Sequence, residues 1–230
     1  MSKIAIMGAM PEEIEPLLKK VENIKKIDYA NNSYYEATYK GKELVIAYSK
    51  IGKVFSSLTA STLLEKFGCT KLLFSGVAGA INPELKIGDL IIADKLCQHD
   101  LDISIFGHAY GYVPEGAVFV ESDATLREVA KEVAKKSELS LIEGIIATGD
   151  QFVASNERKA FITEHFKADA LEMEGASVAV VCDALNVPFF VLRAISDTAN
   201  DDAGIDFDEF MVGSAIISAN FILDMVENID

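Results

Sequence analysis

The chain has 230 residues, with 36 acidic against 21 basic side chains, a formal net charge of −15 and only three cysteines. This length suits a single domain, expected over residues 1–230, because such a chain buries about 70% of its unfolded surface and no run rich in Pro, Gly and Ser resembles a linker. The acidity argues against a nucleic-acid partner, since binding a phosphate backbone requires clustered Lys and Arg.

The N-terminus and the hydropathy pattern predict where the protein resides. Residues 1–3 lead directly into an apolar strand, without the basic region or cleavage site of a signal peptide. No run approaches the ~20 apolar residues of a membrane span. We therefore expect a cytoplasmic protein without membrane association. Cys69, Cys97 and Cys182 lack CxxC spacing and fall in or beside apolar segments, which predicts buried thiols rather than disulfides.

The first third of the chain begins with a strand that runs into a helix. The apolar run Lys3–Gly8 predicts the strand, and Pro11 with two acids, Glu12 and Glu13, is typical of a helix N-terminus. Residues 33–39 and 43–48 predict a β-hairpin. An amphipathic helix is expected near residues 54–67.

The next segment alternates buried strands with small residues. Residues 71–75 predict a strand, and residues 76–80 contain no side chain larger than valine, which allows the backbone to approach a ligand closely. This segment lacks GxGxxG and GxxxxGK[ST], so no dinucleotide or nucleotide-triphosphate loop is indicated. Residues 88–97 predict another strand. The irregular segment 98–114 is long enough to suggest a functional loop.

The second half continues the alternation of strands and helices. A helix is expected from residue 122 to about 137, followed by a strand over 141–148. Residues 156–186 predict a helix, a strand and a second helix. A strand over 189–197, an acidic loop over 198–208 and a final helix over roughly 207–227 complete the chain. This pattern predicts an α/β fold, a three-layer αβα domain around a central mixed, largely parallel sheet.

Four acids fall at probable strand ends, where open α/β sheets bind ligands. These are Glu13, Glu172, Glu174 and Asp197, accompanied by glycines and aromatic residues but few cations. Such a site suits a neutral or cationic ligand whose reaction needs acid–base catalysis. The histidines lack the spacing of metal ligands, so we expect neither a metal nor a cofactor.

Seven motifs in this order resemble the 5′-methylthioadenosine/S-adenosylhomocysteine nucleosidases, including members that hydrolyse 6-amino-6-deoxyfutalosine, within the nucleoside phosphorylase superfamily. The resemblance covers essentially the whole chain. The motifs lie at residues 8–13 (GAMPEE), 49–54 (SKIGKV), 75–79 (SGVAG), 149–152 (GDQF), 172–175 (EMEG), 194–197 (AISD) and 207–210 (FDEF).

The resemblance implies hydrolysis of the N-glycosidic bond to adenine, through an oxocarbenium-like transition state. Asp197 would protonate adenine N7 and Glu13 would deprotonate the attacking water, while Glu174 would accept hydrogen bonds from the ribose hydroxyls. The resemblance also implies a homodimer whose 98–114 loop completes the neighbouring pocket. The residues implied to bind substrate are Met10, Ile51, Val77, Ala78, Gly79, Phe152, Val153, Met173, Glu174, Ser196 and Phe207. The resemblance further implies that Ile103, Phe106 and Pro114 contribute to the substrate pocket of the partner subunit.

Two other functions stay open on the sequence alone. A phosphate-dependent nucleoside phosphorylase would need cations for its nucleophile, and Lys50 or Lys53 could hold a phosphate. A non-catalytic nucleoside-binding protein would keep the fold without turnover. The resting protonation state of Asp197, the role of Arg193 and the ranking of the nucleoside substrates also stay open.

Overall fold

A computed structural model describes residues 3–199 and 203–229. Residues 200–202, part of the expected acidic loop, lie outside the described residues. The strands in this part of the chain are β1 (Lys3–Gly8), β2 (Glu22–Tyr29), β3 (Asn32–Tyr39), β4 (Lys42–Tyr48), β5 (Lys71–Phe74), β6 (Val77–Ala80), β7 (Leu90–Gln98), β8 (Phe119–Glu121), β9 (Leu141–Thr148), β10 (Ala170–Glu172) and β11 (Phe189–Asp197). The α-helices are α1 (Pro11–Leu18), α2 (Lys53–Ser61), α3 (Ala124–Lys136), α4 (Asn156–Phe166), α5 (Gly175–Ala184) and α6 (Ala203–Asn228).

The strands form one mixed sheet in the order β2-β3-β4-β1-β5-β11-β6-β10-β9-β7-β8. Parallel pairs join β1 to β4 and β5, β11 to β5 and β6, and β9 to β7 and β10. The hairpins at both ends are antiparallel, as is the β6–β10 pair. The sheet also curls back on itself, because β11 pairs antiparallel with β7. All nine residues of β11 are buried as a result.

The two faces of the sheet are covered by different helices. Alternate residues of β1 point to opposite faces: Ala5 and Met7 pack with α2 and α5, whereas Ile4 and Ile6 pack with α1, α3 and α6. A third apolar cluster lies beneath α4. The α/β architecture with a mixed sheet confirms the expected fold class, and the helices on both faces give its three layers.

Three strands were not predicted. β2 carries almost only exposed residues and so lacks the alternation that marks a half-buried strand. β6 reads as a glycine-containing loop because its side chains are small, and β8 has only three residues. β2 forms through its hairpin with β3, and β6 and β8 form through pairing with segments more distant in the chain, so the side-chain pattern of each strand alone does not reveal it.

Helix α6 is longer and more apolar than the sequence analysis recognised. An 18-residue window within its segment Phe207–Asn228 has a mean hydropathy of 1.5, so the segment is long and apolar enough to cross a membrane by composition alone, contrary to the expectation that no such run exists. Half of that window is buried, and α6 packs on β11, α1 and α3. This packing is typical of a core helix, so the composition is weak evidence for a membrane span.

The three cysteines are buried free thiols, as predicted. Burial raises the pKa of Cys69 and of Cys182 to about 12, and it also raises the pKa of Cys97. These thiols are therefore poor nucleophiles, since the thiolate is the reactive form.

Candidate active site

A cavity of about 700 Å³, open mouth included, lies where several strands end. Its wall is built from the β1–α1 turn, β6, the loop after β9, the β10–α5 junction and the end of β11. The lining residues are Ala9, Met10, Glu13, Ile51, Val77, Ala78, Gly79, Gln151, Phe152, Val153, Leu171, Glu172, Met173, Glu174, Ser196, Asp197, Ala199 and Phe207.

Glu13 enters the cavity from the first turn of α1. One of its carboxylate oxygens accepts hydrogen bonds from the N–H groups of Ala9 and Met10 (3.0 Å for Met10), and the other accepts from the Val77 N–H at 3.0 Å. Burial raises the pKa of Glu13, while the Arg193 charge and these three amides oppose the rise. The result is a fixed carboxylate with a higher proton affinity than an exposed glutamate.

Asp197 is the last residue of β11, which pairs with β6. The pairing of β11 with β6 is irregular between Ile195 and Asp197, which face Ala78 and Gly79. One carboxylate oxygen of Asp197 accepts from the Ser196 hydroxyl at 3.0 Å, and the other accepts from the Ala199 N–H at 2.9 Å. A buried acid with hydrogen bonds to both oxygens is held in one orientation.

Two glycines let both acids lie directly against the backbone. A Cβ at Gly79 would lie 2.5 Å from Oδ1 of Asp197, and a Cβ at Gly76 would lie 2.7 Å from Oε1 of Glu13. Real Cβ atoms do not come this close to another atom. The small residues of this segment therefore make room for the carboxylates of the protein itself, in addition to any ligand.

Glu172 forms a buried ion pair with Arg193. The Arg193 Nη2 lies 2.7 Å from Oε2 of Glu172, and the guanidinium also stacks over the Phe74 ring at 4.1 Å. The same Glu172 oxygen accepts from the backbone amides of Glu174 and Gly175, where α5 begins. These contacts give Glu172 and Arg193 a structural role. The role of Arg193 had stayed open on the sequence alone.

Glu174 lies beside this pair and receives a hydrogen bond from the backbone N–H of Gly52, at 2.7 Å from Oε1. Burial, reinforced by the charge of Glu172, raises the pKa of Glu174 to about 8. This pKa favours a protonated Glu174 at neutral pH. A ligand that donates hydrogen bonds to this carboxylate would favour its ionised form.

The remaining wall of the cavity is largely apolar. Phe152 from the loop after β9 and Phe207 from the start of α6 meet edge to face, with ring centroids 5.6 Å apart. Phe152 is half exposed, so the pair lies at the mouth. An aromatic ring at this place offers a flat surface for a planar ligand.

The structure places thirteen of the predicted site residues around this cavity: Met10, Glu13, Ile51, Val77, Ala78, Gly79, Phe152, Val153, Met173, Glu174, Ser196, Asp197 and Phe207. Ile103, Phe106 and Pro114, expected to serve the partner's pocket, do not line it. Five lining residues were not predicted to bind substrate: Ala9, Gln151, Leu171, Glu172 and Ala199. Each of these five residues is within two positions of a predicted residue in the sequence. Their closeness to the motifs could therefore have identified them.

No group of three or more His, Cys, Asp and Glu in the described part of the chain is arranged to hold a metal ion. His99 is buried, and Nη2 of Arg158 lies 3.0 Å from its Nδ1. Burial, together with the Arg158 charge, lowers the pKa of His99 to about 4.

The sequence matches the family described as the phosphorylase superfamily over residues 3–227. It is 59% identical to the aminodeoxyfutalosine nucleosidase of Campylobacter jejuni over 229 residues, which cover all of both chains. The crystal structure of 5′-methylthioadenosine/S-adenosylhomocysteine nucleosidase from Campylobacter jejuni superposes with a TM-score of 0.95 at 59% identity, covering 100% of both chains.

The corresponding Helicobacter pylori enzyme, crystallised with butyl-thio-DADMe-Immucillin-A, superposes with a TM-score of 0.98 at 49% identity and covers 100% of this chain and 99% of its own. These likenesses extend over the full length of the chain and include the elements that build the cavity. The chain therefore belongs to the phosphorylase superfamily, within its group of 5′-methylthioadenosine/S-adenosylhomocysteine and aminodeoxyfutalosine nucleosidases.

Proposed function

We propose that the protein hydrolyses the N-glycosidic bond of adenine nucleosides that carry a 5′ substituent. The candidate substrates are 5′-methylthioadenosine, S-adenosylhomocysteine, 6-amino-6-deoxyfutalosine and 5′-deoxyadenosine, and the products are adenine and the 5′-substituted ribose. The observation that carries this proposal is the pair of buried acids, Glu13 and Asp197, which line one cavity and are each held by hydrogen bonds to the protein.

Asp197 is the proposed general acid. Breaking the bond to adenine leaves negative charge on the base and positive charge on the ribose, so a proton delivered to N7 makes adenine a better leaving group. The hydrogen bonds from Ser196 and Ala199 support this role, because they keep the carboxyl group pointing at a single place in the cavity.

Glu13 is the proposed general base that removes a proton from the attacking water. Its raised pKa supports this role, since a base works best when its proton affinity is near the working pH. The base must be ionised before it can act. Activity should therefore fall on the acidic side, at a pH above the ordinary titration range of an exposed glutamate.

The remaining residues would bind the parts of the nucleoside. Glu174 would accept hydrogen bonds from the ribose hydroxyls, with Met173 packed under the sugar. Phe152 would stack on adenine, and the backbone of Phe152 and Val153 would contact its amino edge. Val77, Ala78, Gly79 and Ser196 would line the ribose and base, while Met10, Ile51 and Phe207 would contact the sugar and its 5′ group.

Water is favoured over phosphate as the nucleophile because the nearby cations already have partners. The Lys53 ammonium lies 2.7 Å from Asp100, and the Lys50 ammonium donates to the Asn31 carbonyl at 2.9 Å. Arg193 is paired with Glu172. A phosphorylase would need such groups free for its anionic substrate.

A homodimer in the cytoplasm is part of the proposal. Ile105 and Phe106, on the 98–114 loop, are 88% and 77% exposed, and Val54, Phe55 and Leu58 are exposed on α2. The Lys53–Asp100 pair joins α2 to the loop, which brings these apolar residues toward one surface beside the cavity mouth. Such a surface is typical of a protein–protein interface, and the partner's Ile103, Phe106 and Pro114 would complete the pocket.

Adenine release from the four candidate nucleosides, assayed in parallel in phosphate-free buffer, tests the proposal. We expect release without phosphate, and turnover lowered by at least about 10²-fold in Asp197→Asn and in Glu13→Gln while both still bind 5′-methylthioadenosine. A strict phosphate requirement with a ribose-1-phosphate product would identify a phosphorylase. Binding without turnover in the unmodified protein would identify a nucleoside-binding protein.

A further inference from the structure

A polar network lies behind the cavity wall, at the N-terminus of α2. The Lys53 ammonium donates to Oδ1 of Asp100 at 2.7 Å and to Oε1 of Gln98 at 3.2 Å. Oδ2 of Asp100 accepts from the backbone N–H of Asp150 at 2.8 Å. The side chains of Lys53 and Asp100 are only 19% and 14% exposed, so this network is partly shielded from solvent.

Asp150 connects the network to the cavity through two successive backbone amides. Its Oδ1 accepts from the Lys53 N–H at 2.8 Å, while the preceding amide, that of Gly52, donates to Oε1 of Glu174 at 2.7 Å. Gly52 has a φ of +98°, and a Cβ there would lie 3.0 Å from Oδ1 of Asp150. Asp150 therefore packs directly against the peptide whose N–H points at Glu174.

From this geometry we propose that Asp150 is a positioning residue for ribose binding. By holding the first turn of α2, it aims the Gly52 N–H at Glu174 and so orients the Glu174 carboxylate toward the sugar hydroxyls. Its own backbone, held by Asp100, also fixes the start of the loop that carries Phe152. This inference rests on the proposed function, in which Glu174 binds the ribose of an adenine nucleoside.

The electrostatics of Glu174 show why this amide matters. Glu172 on β10 and Glu13 on α1 oppose ionisation of Glu174, while Arg193 on β11 and the Gly52 amide favour it. The amide lies at a helix N-terminus, where the helix dipole also favours negative charge. If the amide were no longer aimed at Glu174, ionisation would require a higher pH.

Substitution of Asp150 tests the proposal. In Asp150→Ala we expect the KM for 5′-methylthioadenosine to rise about tenfold and the acidic limb of kcat/KM to move to higher pH, with kcat changed less than threefold. Asp150→Asn should restore KM to within about threefold of the unmodified protein, because its amide oxygen still accepts from the Lys53 N–H. If the alanine variant is unstable, Asp150→Ser takes its place in the experiment, because the serine side chain is too short to reach the Lys53 N–H.

Asp123→Ala is the matched control. Asp123 accepts from the Leu126 N–H at 2.9 Å and so caps α3 in the same way, but it does not line the cavity. The control should lose thermal stability without a change in KM or in the pH profile. If Asp150→Ala resembles this control, or if the asparagine variant is as impaired as the alanine variant, the proposal is wrong.

A binding measurement separates this inference from the proposed function. Calorimetric titration of 5′-methylthioadenosine into Glu13→Gln and into Glu13→Gln/Asp150→Ala requires no turnover. An affinity about tenfold weaker in the double variant supports the positioning role, and equal affinities overturn it. The absence of adenine release by the unmodified protein would instead overturn the proposed hydrolysis.

Discussion

At the scale of single residues, the cavity concentrates negative charge that the protein offsets with few positive groups. Glu13, Glu172, Glu174 and Asp197 are all buried, and Arg193 is the only buried Lys or Arg within residues 3–199 and 203–229. Backbone amides supply much of the remaining stabilisation, because Glu13 alone accepts three of them. Small displacements of these carboxylates should therefore have large effects on chemistry.

Gly79→Ala should displace the proposed acid. The new Cβ would lie 2.5 Å from Oδ1 of Asp197, so the carboxyl group must move or β6 must shift. We expect kcat to fall at least about 10²-fold, with a stability loss of about 1–3 kcal/mol from overpacking. Steady-state kinetics and thermal melting would measure both effects.

Gly213→Ala provides the matched control, because it lies within α6 with no atom within 4 Å of the added Cβ. Alanine inside an exposed helix should raise stability by roughly 0.5–1 kcal/mol and leave kcat unchanged. An active Gly79→Ala variant would show that Asp197 does not need its observed position.

Glu174→Gln should make stability less sensitive to pH. The pKa of about 8 in the folded protein lies above the value of about 4.3 for an unfolded glutamate. Glu174 thus contributes fully to stability below about pH 4, and that contribution is lost as the pH rises toward 8. The glutamine variant should gain stability relative to the unmodified protein across this window, by on the order of a few kcal/mol at most.

Thermal melting of both proteins between pH 5 and 8.5 would measure this difference. The exposed residue Glu164 on α4 supplies the control, since Glu164→Gln should shift the melting temperature little and equally at every pH. The KM for 5′-methylthioadenosine should rise about 10–100-fold in Glu174→Gln, because a charge-assisted hydrogen bond to the ribose is lost. A stability difference that does not grow with pH would contradict the prediction.

At the scale of elements, the sequence predicted those strands and helices whose side chains carry a strong local pattern. The apolar runs of β1, β5, β9 and β11 and the acid-rich start of α1 were recognisable without any tertiary contact. β6 was not, because Val77–Ala80 is a strand only through its pairing with β10 and β11. The close fit of Gly79 to Asp197, and of Gly76 just before β6 to Glu13, could not be predicted for the same reason.

Phe207→Ala should weaken binding more than catalysis. The ring meets Phe152 edge to face at the cavity mouth, whereas Glu13 and Asp197 carry the proposed acid–base chemistry. We expect KM to rise about tenfold for nucleosides with a large 5′ group and kcat to fall less than fivefold, since burial of an aromatic ring is worth roughly 1.5–3 kcal/mol.

Phe210→Ala, on the same helix but outside the cavity lining, is the control for α6 itself. Its KM should match that of the unmodified protein. Equal KM values for Phe207→Ala and Phe210→Ala would show that the start of α6 does not contact the substrate.

At the scale of the whole molecule, the motifs identified residues from seven separate segments that the fold brings around one cavity. The sequence could not reveal what supports them. Lys53, Asp100 and Asp150 are about 50 residues apart from one to the next, and nothing in the sequence linked them to one another. The Glu172–Arg193 pair was equally hidden, because α5 separates β10 from β11 in the chain and β6 lies between them in the sheet. Such pairings depend on topology rather than on local pattern.

The proposed dimer leads to the last prediction. The double variant Ile105→Asp/Phe106→Asp places two charges on the most exposed apolar part of the 98–114 loop. Burying unpaired carboxylates in an interface is costly, so sedimentation velocity should show a monomer where the unmodified protein sediments as a dimer. The KM for 5′-methylthioadenosine should rise at least about tenfold, because the partner's loop no longer completes the pocket.

Val212→Asp distinguishes this effect from a general effect of surface charge. Val212 is 53% exposed on α6, away from the loop in sequence, and the variant should remain dimeric with an unchanged KM. Dilution of the unmodified protein through its dissociation range should raise KM in parallel with the appearance of monomer, since both follow from loss of the same contact. A protein that is monomeric and fully active at every concentration would show that each cavity is complete within its own chain, and Ile103, Phe106 and Pro114 would then have no role in substrate binding.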